Sequence, residues 1–183
     1  MERTIFTVGH STRTFDVLVE LLREHEIGLL VDVRRYPGSR RNPQFGKTAL
    51  ENALPAAGIE YRHEVDLGGR RAPPKGSPDT AWRNVQFRGY AAHARSDEFE
   101  AALARVLEQA ARRPTAIMCA EAHPSQCHRR IISDVMSARG WNVVHIVDRG
   151  RSEPHVLDEN ARVGADGKLV YSADRQAGFA FGE

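Results

Sequence analysis

Leu29-Leu30-Val31-Asp32-Val33 is an apolar run of strand length that contains a single carboxylate. Apolar residues at both odd and even positions read as a strand buried on both faces, the habit of parallel sheets. Similar segments lie on either side of it. Thr4-Ile5-Phe6-Thr7-Val8 is rich in β-branched residues and stops at Gly9, and Ile59 to Glu64, Thr115 to Ala120 and Asn142 to Val147 read as further strands. Helical periods separate them. Phe15, Leu18, Val19, Leu21 and Leu22 recur at helical spacing, and Gly28 is placed to take a left-handed turn at the helix end. Thr48 and Glu51 have capping-box spacing for a short helix carrying Leu50 and Leu54, which Pro55 must kink or shorten. Trp82 to His93 is predicted helical, with Phe87 and Tyr90 on one face as core or lid packing. Ser96 is expected to cap a helix buried through Phe99, Leu103, Val106, Leu107 and Ala110. Ser125 is expected to cap another, with Ile131, Ile132, Val135 and Met136 inside and Gly140 at its end. Residues 67–79 hold three prolines and three glycines, which predicts a long surface loop.

This alternation predicts an α/β fold: a three-layer, Rossmann-like or flavodoxin-like, mostly parallel sheet with helices on both faces. The expected division is one α/β domain over residues 1–149 and a C-terminal extension over 150–183. Asp166-Gly167 before Leu169-Val170-Tyr171 suggests a hairpin in that extension, followed by a loose tail over the last dozen residues.

Of the 183 residues, 41% are hydrophobic and 27% charged, an ordinary composition for a single core. No apolar run approaches the roughly 20 residues of a membrane span, so no membrane partner is expected. The first ten residues lack a basic, then apolar, leader pattern. Two cysteines make no disulfide framework, which favours a reducing, cytoplasmic setting. Charge is uneven along the chain. Residues 34–95 hold twelve basic and five acidic side chains, against three and six in 1–33 and eleven and thirteen in 96–183. Arginines outnumber lysines 23 to 3, so the basic island is either an anion-binding rim of guanidinium forks or solvated loop surface. Without a lysine-rich tail or basic repeat, support for a nucleic-acid partner is weak.

In folds of this class ligands bind beyond the carboxyl ends of the strands. The residues there are Gly9, His10 and Ser11, then Asp32 and Arg34 with Arg40 following, then Gly68-Gly69, and finally Cys119 and Glu121 with Cys127-His128-Arg129. With Ser125 as cap, Cys127 would fall in the first helical turn, where free N–H groups and the helix dipole favour a thiolate. Cys127 is then a nucleophile assisted by His128 or His10, with Glu121 as acid or base; the bland alternative is that Cys127 and Cys119 are small buried hydrophobes. Arg34, Arg40 and Arg129, with Ser11, Gly68 and Gly69, form the expected substrate-binding set. Asp32 alternates with Val31 and Val33 and shares a face with Arg34, as a functional carboxylate or as the group that orients the arginine. Gly68-Gly69 permits close backbone approach to a ligand, or simply a tight turn. Zinc on Cys119, Cys127 and His128, with His10 or Glu121, is the competing reading. The spacing fits no paired-cysteine pattern, and adjacent side chains on a helix diverge by ~100°. No P-loop or G-x-G-x-x-G follows the first strand, and no cofactor is expected.

These residues resemble the domain of unknown function 488 family of bacteria and archaea. The resemblance rests on Thr7-Val8-Gly9-His10-Ser11, on Val31-Asp32-Val33-Arg34 with Pro37-Gly38-Ser39-Arg40, and on Gly58-Ile59-Glu60-Tyr61 with Leu67-Gly68-Gly69. It closes with Cys119-Ala120-Glu121 and Cys127-His128-Arg129, so the blocks span about residues 4–148 in family order. Gly38 departs from the shorter Pro-Ser-Arg spacing of the family. The resemblance implies a three-layer α/β fold and marks the collected residues as the family's motifs, but it implies no reaction. From the residues themselves, the expected function is a small enzyme acting by hydrolysis or group transfer on an anionic, phosphate-bearing or nucleotide-like substrate. The alternatives are a non-catalytic module binding an anion or a nucleic-acid end, and a zinc-binding or redox-responsive protein using Cys119 and Cys127.

Overall fold

The computed structural model describes residues 3–38 and 40–173. Six strands make the main sheet: β1 (Thr4–Gly9), β2 (Leu29–Asp32), β3 (Glu60–His63), β4 (Thr115–Cys119), β5 (Asn142–Asp148) and β6 (Arg151–Pro154). Their order is β3-β2-β4-β1-β5-β6; the first five run parallel and β6 returns antiparallel on β5. Five α-helices flank it: α1 (Phe15–Glu24), α2 (Lys47–Ala53), α3 (Val85–His93), α4 (Asp97–Ala110) and α5 (Arg129–Ala138).

The strands pack both faces because their apolar residues occupy both parities. Val8, Leu30 and Met118 join Leu18 and Leu22 of α1 and Leu50 of α2 in one core. Ile5, Val31 and Ile117 join Phe99 and Leu103 of α4 and Ile131 and Ile132 of α5 in the other. The α/β three-layer arrangement predicted from the sequence is therefore the one observed. It also places the crevice. β4 lies between β2 and β1, whose chains leave toward α1 and α2 on one face, whereas the chain leaving β4 runs to α5 on the other. Diverging loops of this kind open a cleft at the strands' carboxyl edge.

Several local expectations fail for identifiable reasons. The turn after α1 is taken by Glu26 at φ 53°, not by Gly28. The Thr48–Glu51 capping box does not form, since α2 already starts at Lys47 with Gly46 as its uncapped N-terminus; Glu51 pairs with Lys47 instead. Pro55 ends α2 and opens a 3₁₀ turn. Ser125 does not cap α5 but lies in a separate 3₁₀ turn, Pro124–Gln126, that precedes it. Ser96 caps α4 as expected, accepting the Phe99 N–H, while α3 begins only at Val85 behind an Asn84 cap. The 67–79 segment is not all surface, because Leu67 and Asp79 are buried.

Beyond β6, Ala161–Val163 (β7) and Leu169–Tyr171 (β8) form the expected hairpin, with Gly167 in a left-handed turn at φ 76°. Tyr171 reaches the α4/α5 core, and Asp79 accepts its backbone N–H. Ser39 and residues 174–183, where most of the expected loose tail falls, lie outside the described residues.

Candidate functional site

A cleft of about 320 Å³ opens at the carboxyl edge of β2 and β4. Cys127, His128 and Glu121 line it together with Arg34, Arg35 and Arg70. The 3₁₀ turn before α5 decides the geometry of the first two. Cys127 is extended (φ −140°, ψ 154°) and His128 is the residue before the helix, so neither sits on a regular helical turn. The divergence expected of neighbours on a helix does not apply, and Sγ of Cys127 lies 3.6 Å from Nδ1 of His128. The opposite ring nitrogen, Nε2, donates to the Val33 carbonyl at 2.9 Å. A carbonyl can only accept, which puts the proton on Nε2 and turns the Nδ1 lone pair toward the sulfur. Tyr90 packs on the ring at 4.9 Å between centroids. A Cβ on Gly69 would come within 2.9 Å of Nδ1, so Gly69, which lines the cleft, also makes room for His128.

Arg129 lies behind the cysteines and is 0% exposed. Its Nε donates to Cys119 Sγ at 3.0 Å and its Nη1 to Thr7 Oγ1 at 3.0 Å. Nη2 donates to the carbonyls of Glu121 (2.7 Å) and Ala122 (3.3 Å), and the Arg129 backbone N–H reaches Cys127 Sγ at 3.4 Å. Gly9 makes this possible: a Cβ there would sit 1.8 Å from the Glu121 carbonyl oxygen, so only glycine lets that loop lie against β1. The expectation that Arg129 binds substrate is corrected, because its three nitrogens are all taken inside the protein. Among the described residues it forms no ion pair, and its neutral partners leave the positive charge uncompensated. The neighbouring sulfurs respond to it. Burial pushes the Cys127 thiol up, but the Cys119 hydrogen bond and the Arg129 charge and N–H outweigh it and bring the thiol down to about 7. Cys119 is pushed up, by burial first and then by its neighbour Cys127. One proton is thus held on Cys119 while Cys127 is the thiol that releases its own.

A second chain of hydrogen bonds supports Arg129 from below. Thr7 Oγ1, already accepting from Arg129, meets Nδ1 of His145 at 2.7 Å. Nε2 of His145 faces Nδ1 of His155 at 3.0 Å, and His155 Nε2 faces Asp134 Oδ1 at 2.8 Å. The Tyr171 hydroxyl closes the chain by donating to Asp134 Oδ2 at 2.8 Å. Burial lowers His145 to about 3, so it is neutral, and each group can donate to the next from Thr7 toward Asp134.

On the other face of the sheet, Asp32 grips Arg34 through Oδ1···Nε at 2.8 Å and Oδ2···Nη2 at 2.6 Å. The Tyr61 hydroxyl also donates to Oδ2 (2.7 Å), and Nη2 of Arg34 donates to the Phe45 carbonyl (2.7 Å). Of the two roles open to Asp32, the geometry shows the orienting one. His10 is likewise turned away from Cys127. Its Nδ1 donates to the Ser11 carbonyl (2.9 Å), Nε2 accepts from Arg34 Nη1 (3.1 Å), and the ring stacks on Phe45. Burial, the largest effect, lowers His10 to about 4. His10 and Asp32 therefore stand behind Arg34 instead of lining the cleft.

Three expected substrate contacts also fall outside the cleft lining. Ser11 uses its N–H on the Ala120 carbonyl, Arg40 is exposed beyond the rim, and Gly68 presses against the Arg35 backbone. In their place stand residues the sequence reading missed: Arg35, whose Nη1 donates to the Arg70 carbonyl at 2.9 Å, Arg70 itself at φ 60°, and Asn84, Gln86 and Phe87 at the start of α3. The signals for them were an arginine directly after Gly68-Gly69 and an Asn at a helix start. Among the described residues no three His, Cys, Asp or Glu side chains are grouped to hold a metal ion, and no helix is long and apolar enough to cross a membrane.

A family model described as "Domain of unknown function DUF488" matches residues 14–136. The matched span contains Asp32, Arg34, Cys127 and Arg129; Thr7, His10, His145 and His155 lie outside it. No curated protein and no solved structure matches the chain.

Proposed function

The chain belongs to the DUF488 family, a name that carries no reaction, and from its cleft we propose a small enzyme acting by hydrolysis or group transfer on an anionic, phosphate-bearing or nucleotide-like substrate. The observation that carries this reading is the line Cys127 Sγ, His128 Nδ1, His128 Nε2, Val33 carbonyl, set beside the unpaired charge of Arg129. A nucleophile, a base and a group that orients the base are the parts covalent catalysis requires. Cys127 gives its proton to Nδ1 of His128, and the thiolate bonds to the electrophilic phosphorus or carbon as the leaving group departs. The imidazolium then protonates the leaving group. Water, losing its proton to the same imidazole, frees the thiol; a second acceptor in place of water makes the reaction a transfer. Glu121, exposed at the mouth, is a further proton carrier. Arg35 and Arg70 bind the anion against a wall that Arg34, held by Asp32, His10 and the Phe45 carbonyl, helps to form, and Phe87 and Tyr90 offer a wall for an aromatic or sugar portion. Two free cysteines suit a reducing compartment such as the cytoplasm.

A panel of phosphomonoesters, phosphodiesters and nucleotide esters tests the reading. Turnover should vanish in Cys127→Ala and fall about 100-fold or more in His128→Ala. Turnover retained by Cys127→Ala would overturn it. The binding-module reading draws on the burial of Cys127, which is only 5% exposed. It is favoured if phosphate ligands bind Cys127→Ala as tightly as wild type while no ester turns over.

A further inference from the structure

We infer that Cys119 is a resolving cysteine for Cys127: a peroxide oxidises Cys127 to a sulfenic acid, and Cys119 closes it into a reversible intramolecular disulfide. The inference rests on the reading of Cys127 as a reactive thiolate and adds a regulation of that site.

The two sulfurs share one environment. Both residues line the cleft, and neither is in a disulfide. Arg129 touches both, Cys119 through Nε at 3.0 Å and Cys127 through its backbone N–H at 3.4 Å. They come from different elements, the end of β4 and the segment before α5, and the chain between them includes a 3₁₀ turn.

The charge balance sets the order of events. In the reduced protein Cys127 holds the negative charge, and this is one reason, after burial, that Cys119 keeps its proton. Peroxide takes two electrons from Cys127: the thiolate attacks one oxygen, the O–O bond breaks, and Cys127–SOH and hydroxide result. Sulfenic acid is neutral, so the repulsion on Cys119 disappears while the Arg129 charge remains with no anion beside it. Cys119 then loses its proton to hydroxide, making water, and attacks the Cys127 sulfur. The S–S bond forms as the S–O bond breaks, and the hydroxide released takes up the proton that Cys127 gave up when it became a thiolate, making a second water. Peroxide is reduced to water overall. An external dithiol reverses the disulfide by exchange, whereas a sulfenic acid without a neighbour would proceed to the irreversible sulfinic acid.

The experiment treats the full chain with hydrogen peroxide in the presence of dimedone, then maps peptides by mass spectrometry. Wild type should lose both free thiols, yield a peptide pair linked Cys119–Cys127, take up little dimedone and recover both thiols with dithiothreitol. Cys119→Ala should accumulate the dimedone adduct on Cys127. The linked peptide is read in wild type and does not depend on the variant folding. Alkylation of Cys127 in the reduced protein, measured beside it, separates the two readings. Fast alkylation with dimedone trapped on wild-type Cys127 and no linked peptide overturns this inference alone. Alkylation no faster than an ordinary thiol overturns both it and the proposed nucleophile.

Discussion

Arg34 and Arg129 are the buried arginines among the described residues, 7% and 0% exposed, and they sit on opposite faces of one sheet edge. Arg34 faces a carboxylate and is gripped by it through two hydrogen bonds; its charge is cancelled where it stands. Arg129 faces a hydroxyl, two carbonyls and two sulfurs. Nothing in that set is an anion unless a thiol gives up its proton. A buried cation is costly without a counter-charge, and the least costly one available here is a thiolate. The same residue type therefore does two jobs. On one face it is held by a neighbour and shapes the cleft wall, and on the other it draws a proton off Cys127.

The sharpest way to break this contrast is to remove the anion from the first pair. Asp32→Asn leaves the Arg34 charge buried and unpaired, so stability should fall by about 3–5 kcal/mol in denaturant titration. A loss under 1 kcal/mol would mean that Arg34 is not held as the structure shows. Arg129→Met should cost less stability, because it leaves only neutral polar groups behind, but it should move the chemistry. The midpoint of Cys127 alkylation should rise from about 7 by about 2 units, equivalent to ~2.7 kcal/mol. At pH 7 the rate should drop only about 5–10-fold, since a more basic thiolate is intrinsically more nucleophilic.

How much of this was legible in the sequence follows from range. The strands were legible because Leu29 to Val33 and Thr115 to Ala120 state their burial in every residue. The site's edge followed from topology, and Cys127, His128, Glu121 and Arg34 line the cleft found there. The roles were not legible. That Arg129 points inward depends on Thr7 and on two carbonyls of a loop that Gly9 admits, contacts more than a hundred residues apart in one case. That His128 meets Cys127 depends on a 3₁₀ turn that Ser125 disguised as a helix cap. Arg70 was legible only through its place directly after Gly68-Gly69, and nothing within the arginine-rich island distinguishes Arg35 from Arg40.

Each arginine also has a histidine, and acid should act on both. His10 beside Arg34 is lowered to about 4, and His145, beyond Thr7, to about 3. Both are neutral in the folded protein, while the unfolded chain takes up protons below about 6.5. The unfolded state thus binds more protons in that window, and stability should fall as the pH drops from about 6.5 to about 4, by up to ~1.4 kcal/mol per pH unit for each histidine. His10→Asn should remove its own share of the slope, up to ~1.4 kcal/mol per pH unit, beside the shares of His145 and of His93 and His128, which burial also lowers, and an unchanged slope would contradict the burial of its neutral ring. The smallest effect is expected at the rim. Arg70→Ala should weaken phosphate protection of Cys127 several-fold, and Arg40→Ala should leave it unchanged; the reverse result would relocate the anion site.

The most direct test of the thiolate beside Arg129 is the iodoacetamide alkylation rate of Cys127 in the reduced wild-type protein from pH 5 to 10, read on its own peptide so that Cys119 stays in place. A midpoint near 7, well below the ordinary thiol value of about 8.5, is the expected result. A midpoint at or above that ordinary value, or a thiol that stays inert throughout, would contradict it and leave Arg129 as a purely structural cation.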